Sequence, residues 1–293
     1  MNKELSVSDT IIDHGYVPEE HAPDPVTSHG DPTPPGKIAI WLFLASEIMF
    51  FIGVLGSYIV LRSGSAHLFS KHAEALNKVL AGTNTLVLIL SSVTMYIAVE
   101  AAHKGDRKKL MTCLLATILC GCGFMVIKYF EYTAKFTHHT IVVRESPNDP
   151  TVWVLDGHVH GHGDERILFG YKSKMPKDKE FNINQTAETD VHEWAAKQAG
   201  KTMDEMKPSE HKIEGIISQD ITYGPWKNIF YASYFTTTGV HGAHVVGGLI
   251  AMGILLIHAL RGKLLAAHTE YVGLYWHFVD LVWIFLFPLL YLI

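Results

Sequence analysis

The sequence predicts an all-α membrane protein, a five-transmembrane-helix bundle carrying a small extramembrane α+β insertion. Three observations predict it. Apolar residues fill 48% of the 293 positions, and they gather into long blocks instead of spreading through the chain. The blocks cover roughly 38–61, 79–100, 110–132, 230–260 and 271–293, each long enough to cross a hydrocarbon core of about 30 Å as a helix. Charge is confined to the stretches between them: no acid or strong base occurs from Val79 to Val99, and the last block carries only Asp280. The chain therefore divides into an acidic proline-rich tail (1–36), three spanning helices (37–132), an extramembrane insertion (133–228) and two further spans (229–293).

The tail holds seven acids and six prolines against Lys3 as its one lysine or arginine. Such a composition buries too little apolar surface to offset chain entropy, so a disordered or surface-lying segment is expected. Pro32-Thr33-Pro34-Pro35-Gly36 then gives way to the first helix, where a missing amide proton costs little. The first span, Lys37–Arg62, contains a single charge between its basic ends, Glu47. A carboxylate there costs on the order of 2.5–3.5 kcal/mol to insert, so it is expected to face protein, trapped water or a lipid headgroup. It is the leading candidate for a proton-linked residue, the plainer reading being a hydrogen bond to another helix.

The loop Ala102–Lys109 carries four Lys/Arg, and the loop after the fourth span carries Arg261 and Lys263. Short basic loops stay cytoplasmic, which places the N-terminus inside and the insertion and C-terminus outside. No cleavable signal is expected, because the first block is of full spanning length. Cys113, Cys120 and Cys122 all fall in the third block without a CxxC pair and read as packing residues. Lys128, near the end of that block beside Tyr129 and Tyr132, is expected to snorkel to the interface.

The insertion contains 12 Lys/Arg and 15 Asp/Glu, and the whole chain has a net charge of −5 without a basic run, which excludes a nucleic-acid partner. Thr140–Arg144 and Val152–Leu155 read as strands, Asp156-Gly157 as a turn, and Asp190–Glu193 as a capped helix start with Gly200 as its stop. His158, His160 and His162 alternate and would share one face of a strand, making them candidate metal ligands. A solvated, glycine-rich loop is the plainer reading.

In the fourth span, Gly239, Ala243, Gly247 and Ala251 recur at every fourth position, a line that lets a neighbouring helix approach closely. His241 and His244 lie one turn apart, with no third metal ligand beside them, so polar links to Glu47, His277 or a lipid phosphate are expected. The last span places Glu270, His277 and Asp280 near one face.

Ser46-Glu47-Ile-Met-Phe50-Phe51, Asn84-Thr85-Leu-Val-Leu, Gly105-Asp106-Arg107-Lys108, Glu131-Tyr132, Thr238–Val245 and Tyr275–Trp283 occur in this order along residues 38–133 and 229–293. Together they resemble subunit III of the heme–copper terminal oxidases of the cytochrome c oxidase type. The resemblance implies a helical bundle with a V-shaped, lipid-holding cleft that binds neither heme nor copper itself. It implies phospholipid in the cleft, heme and copper in partner subunits, and subunits I (chiefly) and II as partners, with a respiratory supercomplex as a further one. It also implies a bacterial inner membrane, and a role in supporting turnover and proton uptake by subunit I and protecting that subunit from inactivation. On this chain Glu47 stands as the family's buried carboxylate, with His244 and His277 near it or near lipid. His258 falls where an arginine is common, and Arg261 is one turn on. The chain has only five spans, so it resembles the form lacking the first two helices of the seven-helix members. It carries Lys128 where glutamine is frequent, and its insertion is long. A quinol oxidase or nitric oxide reductase subunit is the alternative within the family. A free-standing transporter or proton channel is the alternative outside it, and that class predicts inverted repeats, of which none is visible.

Overall fold

The computed structural model describes residues 35–146, 151–160, 166–175 and 182–292. The expected tail, residues 1–34, and His162 lie outside the described residues. Among the described residues, five helices are long and apolar enough to span a membrane. They are α1 (Pro35–Gly64), α3 (Lys78–His103), α4 (Arg107–Phe136), α6 (Ile229–Leu260) and α7 (Ala266–Phe287), the last extended by a π-helical turn to Leu292. A short helix α2 (Ala66–Glu74) follows α1.

Local chemistry sets the helix starts. Pro35 opens α1 as its first residue. The side chain of Asn77 accepts the Leu80 amide at 3.0 Å, Asp106 accepts that of Lys109 at 3.1 Å, and Asn228 accepts that of Tyr231 at 3.1 Å, capping α3, α4 and α6. Gly105 has φ +75°, which lets the chain reverse between α3 and α4 in a few residues.

Helices α3, α4, α6 and α7 form a closed ring in which each touches the next, and α1 lies outside the ring along α7 and α6. Each ring helix turns one stripe to the axis, such as Ala81, Asn84, Leu88, Ser91, Met95 and Ala98 on α3. The opposite faces, with Leu86, Ile89, Leu90 and Val93 exposed, suit lipid.

The small-residue line of α6 lies mostly on its outward face: Gly239, Ala243 and Gly247 are exposed and Ala251 is half-buried, and a Cβ on Gly247 would lie 3.4 Å from the Tyr275 hydroxyl. Close packing is achieved instead around Trp276. A Cβ on Gly248 would lie 2.7 Å from the Trp276 ring, and one on Gly121 3.0 Å from it. The indole thus sits in a slot cut from α4 and α6, and its bulk, not the four-residue repeat, decides which α6 face turns inward.

The insertion holds β1 (His138–Arg144), β2 (Val152–His160), β3 (Ile167–Lys174), α5 (Glu188–Ala199), β4 (Ser209–Lys212) and β5 (Ile216–Thr222). The strands form one antiparallel sheet in the order β4-β3-β2-β1-β5. Its two outer strands are consecutive in the chain and joined only by residues 213–215. A flat sheet would hold those strands roughly 19 Å apart, whereas the link reaches about 14 Å at most. The sheet therefore curls around Ile141, Val143, Leu155 and Leu168, and α5 packs on its outer face through His192 against Tyr171.

Asp156-Gly157 is not a turn. Both residues lie in the middle of β2, opposite Tyr171 and Gly170. The Asp156 carboxylate is fully buried and accepts hydrogen bonds from Thr140 (2.5 Å) and Tyr223 (2.8 Å) and meets His138 Nε2 at 2.8 Å. A Cβ on Gly157 would lie 2.3 Å from the Phe169 carbonyl. Long-range partners outweigh the local turn preference. The expected helix is present but starts at Glu188, with Asp190 accepting the Ala187 amide, and Gly200 (φ +65°) ends it.

Candidate functional site

Glu47 and His244 meet where α1 crosses α6. Glu47 Oε2 lies 2.9 Å from His244 Nε2, with 20% and 18% of the two side chains exposed. The other ring nitrogen, Nδ1, lies 2.8 Å from the Val240 carbonyl, which can only accept, so Nδ1 carries a proton. A neutral imidazole then offers Nε2 as an acceptor, and a carboxylate is an acceptor too. The 2.9 Å contact therefore needs one further proton, held either as carboxylic acid with neutral imidazole or as carboxylate with imidazolium. Either way the pair is neutral, which is what a low-dielectric setting favours. Phe51 meets the imidazole edge to face at 5.0 Å and Tyr275 donates to the His244 carbonyl at 3.0 Å, fixing the ring. Chemically, the pair can hold one proton and exchange it.

On the insertion side of this pair, α1 and α6 diverge around a groove of about 300 Å³. It is lined by Val54, Ser57, Tyr58 and Leu61 from α1 and by Ala232, Ser233, Thr236 and Thr237 from α6.

The other candidates fall elsewhere. His241 is one turn from His244 yet points into the ring, between Phe124 (5.6 Å) and Trp283 (5.1 Å). His277 pairs with Ser92 at 2.6 Å, not with Glu47, and Asp280 accepts from Ser91 at 3.5 Å, so both belong to the seam between α3 and α7. Glu270 lies at the opposite end of α7, 3.2 Å from Lys37. His258 donates to its own helix at Ile254 (2.9 Å), and Arg261 is exposed. Arg107 instead completes the end of α6, donating to the carbonyls of Ala259 (2.6 Å) and Leu260 (2.5 Å).

His158 and His160 do share a strand face, but His158 leans on His138 (5.0 Å) and His160 is exposed. Burial, with the nearby His138, lowers the His158 pKa. Among the described residues no group of three metal-ligating side chains converges.

Two polar clusters went unread in the sequence. Lys128 does not snorkel: it is 6% exposed and forms a buried ion pair with Glu131 at 2.8 Å. Tyr291 and Tyr234 close the knot, each donating to Glu131 Oε1, at 2.6 and 2.8 Å. The i,i+3 spacing of Lys128 and Glu131 was a visible signal; the two distant tyrosines were not. The second cluster surrounds Asp156 at the base of the insertion. There Lys227 lies 3.4 Å from the centre of the Tyr223 ring, and burial lowers its pKa to about 8 despite Asp156 nearby. Burial alone would raise the Asp156 carboxyl, but His138, Lys227 and Thr140 hold it well below the usual carboxylate range.

The sequence pattern of the family described as cytochrome c oxidase subunit III matches residues 219–293, the stretch that contains α6 and α7. The probable cytochrome c oxidase subunit 3 of Nocardia farcinica is 28% identical over 255 residues, 86% of this chain and 85% of that protein. Cytochrome c oxidase subunit 3 of Alkalihalophilus pseudofirmus is 24% identical over 278 residues, 91% of this chain and 95% of that protein. That of Corynebacterium diphtheriae is 26% identical over 257 residues, with 86% and 85% coverage.

Proposed function

We propose, from the premise that this chain belongs to the subunit III family of the heme–copper oxidases, that it supports electron transfer from cytochrome c to oxygen without an active site of its own. The chain is a subunit of an oxidase complex and associates with other subunits of that complex. In our reading the main contact is subunit I, which with subunit II holds the heme and copper. Subunit III binds neither. It stabilises subunit I and supports its proton uptake, and a respiratory supercomplex partner completes the set.

The observation that carries this reading is the Glu47–His244 pair, a single-proton site inside a membrane-spanning region and beside a groove. The groove suits a phospholipid tail: it is apolar along Val54, Leu61 and Ala232, the hydroxyls of Ser57, Ser233 and Thr237 donate back to their own helix, and that of Tyr58 donates to the Leu289 carbonyl. Its 300 Å³ volume holds part of an acyl chain. We place the chain in a bacterial inner membrane with its basic end, bearing Arg107, Lys108 and Lys109, in the cytoplasm and the insertion outside.

A tagged pull-down from native membranes in mild detergent tests the reading. The expected eluate shows heme a-type bands in a reduced-minus-oxidised spectrum, contains copper, and turns over with reduced cytochrome c. Turnover with quinol alone would move the chain to a quinol oxidase. Heme with non-heme iron and no copper would move it to a nitric oxide reductase. A colourless single chain with proton flux would make it a transporter.

A further inference from the structure

The outer face of the insertion's sheet is turned toward the bundle. Directly paired residues of antiparallel strands share a face, so Thr140, Asp156, His158, Phe169 and Tyr171 all lie on this one. Its middle is seated on the helices. Thr140 and Asp156 bond to Tyr223, and Lys227, just before α6, lies 3.3 Å from the Thr140 hydroxyl. Tyr171 packs on α5, whose first turn reaches Lys71 of α2 and Lys135 of α4. His158 comes next along the face, 3.4 Å from the Thr137 hydroxyl just beyond the end of α4.

The face continues past that point, away from α5. Phe169 pairs with His158 and Ile167 with His160, so β3 begins roughly 7 Å beyond the end of α4. Here Phe169 and Ile167 are 43% and 40% exposed, whereas Leu168 between them turns to the other face and is buried. The rim of the bundle sets the level of this overhang. Trp226 and Phe136, both exposed, bring their rings within 5.6 Å where α4 ends and α6 begins. The Trp226 indole donates at 2.9 Å to Thr222, the last residue of β5. Aromatic rings gather at the boundary between hydrocarbon and water, so the foot of the sheet rests at that boundary.

We propose that the β2–β3 hairpin is a second membrane contact of this chain, with Phe169 and Ile167 seated among the phospholipid headgroups of the leaflet that borders α4. The headgroup layer is about 5–8 Å thick on each side, and side chains on the lower face of the overhang fall within it. A single exposed apolar residue needs no partner. Two of them at alternate positions of one strand, on the face that looks toward the membrane plane, form a ridge continuous with the aromatic rim of Phe136 and Trp226. The contact holds the insertion against the bilayer and leaves the opposite face of the sheet to water.

The test uses the purified complex containing the full chain, reconstituted in phosphatidylcholine nanodiscs. Photoreactive benzoylphenylalanine takes the place of Phe169 in one variant and of Ile217 in another, and adducts are identified by mass after illumination. Ile217 pairs with Val143 on the opposite face and is 37% exposed, so it matches Phe169 in apolar character and exposure. Both sites are on the surface, so both variants are expected to assemble. A phosphatidylcholine adduct is expected at Phe169 and none at Ile217. An adduct joining Phe169 to another subunit would overturn the proposal, because the ridge would then be a protein interface. A Phe169 probe without any adduct would overturn it as well, since the hairpin would stand clear in water. Equal lipid labelling at the two positions would do the same, because it would report chance collision with lipid.

Discussion

The proton shared by Glu47 and His244 makes a specific prediction. In Glu47→Gln the amide can still donate to His244 Nε2, so the contact survives while the exchangeable proton of the pair is lost. The complex is expected to assemble with unchanged heme spectra and to lose turnover durability or proton uptake, read by the number of turnovers before inactivation. Loss of the hemes from the purified variant would show that the carboxylate is needed for folding instead. A second residue-scale prediction concerns pH. His72 packs against Phe230 and Tyr231 beneath the insertion, and burial, followed by the charge of Lys227, lowers its pKa to about 3. Its ordinary value is about 6.5. The folded form therefore excludes the proton, and the stabilisation it gives is complete above about 6.5 and shrinks as pH falls toward 3. The decline is about 1.4 kcal/mol per pH unit for one proton. Asp190 favours the charged ring, whereas Lys135 and Lys71 oppose it alongside Lys227. The protection factor of the amides at the start of α6, with the intrinsic pH dependence of exchange divided out, should fall between about pH 6.5 and 5, and less so in His72→Asn; identical profiles would refute the assignment. Glu47 was legible because it is the single charge in an apolar run. A link from His241 or His244 to Glu47 was expected as well; which of the two makes it was left to tertiary packing, which gives His244 to Glu47 and turns His241 into the ring. Lys128 misled because the third helix runs one turn beyond its apolar block, to Phe136, which carries the lysine inward.

At the scale of elements, the five spans were legible because hydropathy over some twenty residues depends on the segment alone. Their contact faces were not, since a membrane helix is apolar all round. The glycines of α6 separate the two kinds of face. Gly248→Ala puts a methyl 2.7 Å from the Trp276 ring and should destabilise the bundle by about 1–3 kcal/mol. A methyl added at Gly239 would meet nothing within 4 Å, so Gly239→Ala should keep or slightly raise bundle stability through helix propensity. Thermal melts in detergent check both, and equal losses would contradict this packing. The sheet was half legible. The strongly β-forming runs of β1 and β2 stood out, while β4 and β5, Ser-Glu-His-Lys and Ile-Ile-Ser-Gln-Asp-Ile-Thr, gain their pairing from distant strands. Asp156 shows the same limit, since its turn preference gives way to His138, Thr140 and Tyr223.

At the scale of the whole molecule, the insertion is a module on a narrow stem. The Tyr223 amide donates to the His138 carbonyl at 3.2 Å, so its two ends meet. Contacts of Lys71 with Asp190, of Lys135 with Glu188 (3.9 Å) and of Asn228 with the Asn184 carbonyl (2.9 Å) seat it on the bundle. Replacing 138–223 with a short glycine linker should therefore leave the five helices assembled with the other subunits of the complex. If the insertion docks on neighbouring subunits or on the electron donor, the same variant should raise the KM for the donor or weaken those contacts. Unchanged donor kinetics and subunit content would argue against docking.

The neutrality of the Glu47–His244 pair also bears on how it answers an electric field. A proton hopping between two heavy atoms 2.9 Å apart crosses at most roughly a tenth of a core about 30 Å thick. A full crossing is worth about 2.3 kcal/mol per 100 mV, so the hop is biased by roughly 0.2 kcal/mol. A membrane voltage thus barely chooses between the two ways of holding the proton. It acts on the pair only when a proton arrives or departs, and the path taken then, not the bond between the residues, sets any voltage dependence.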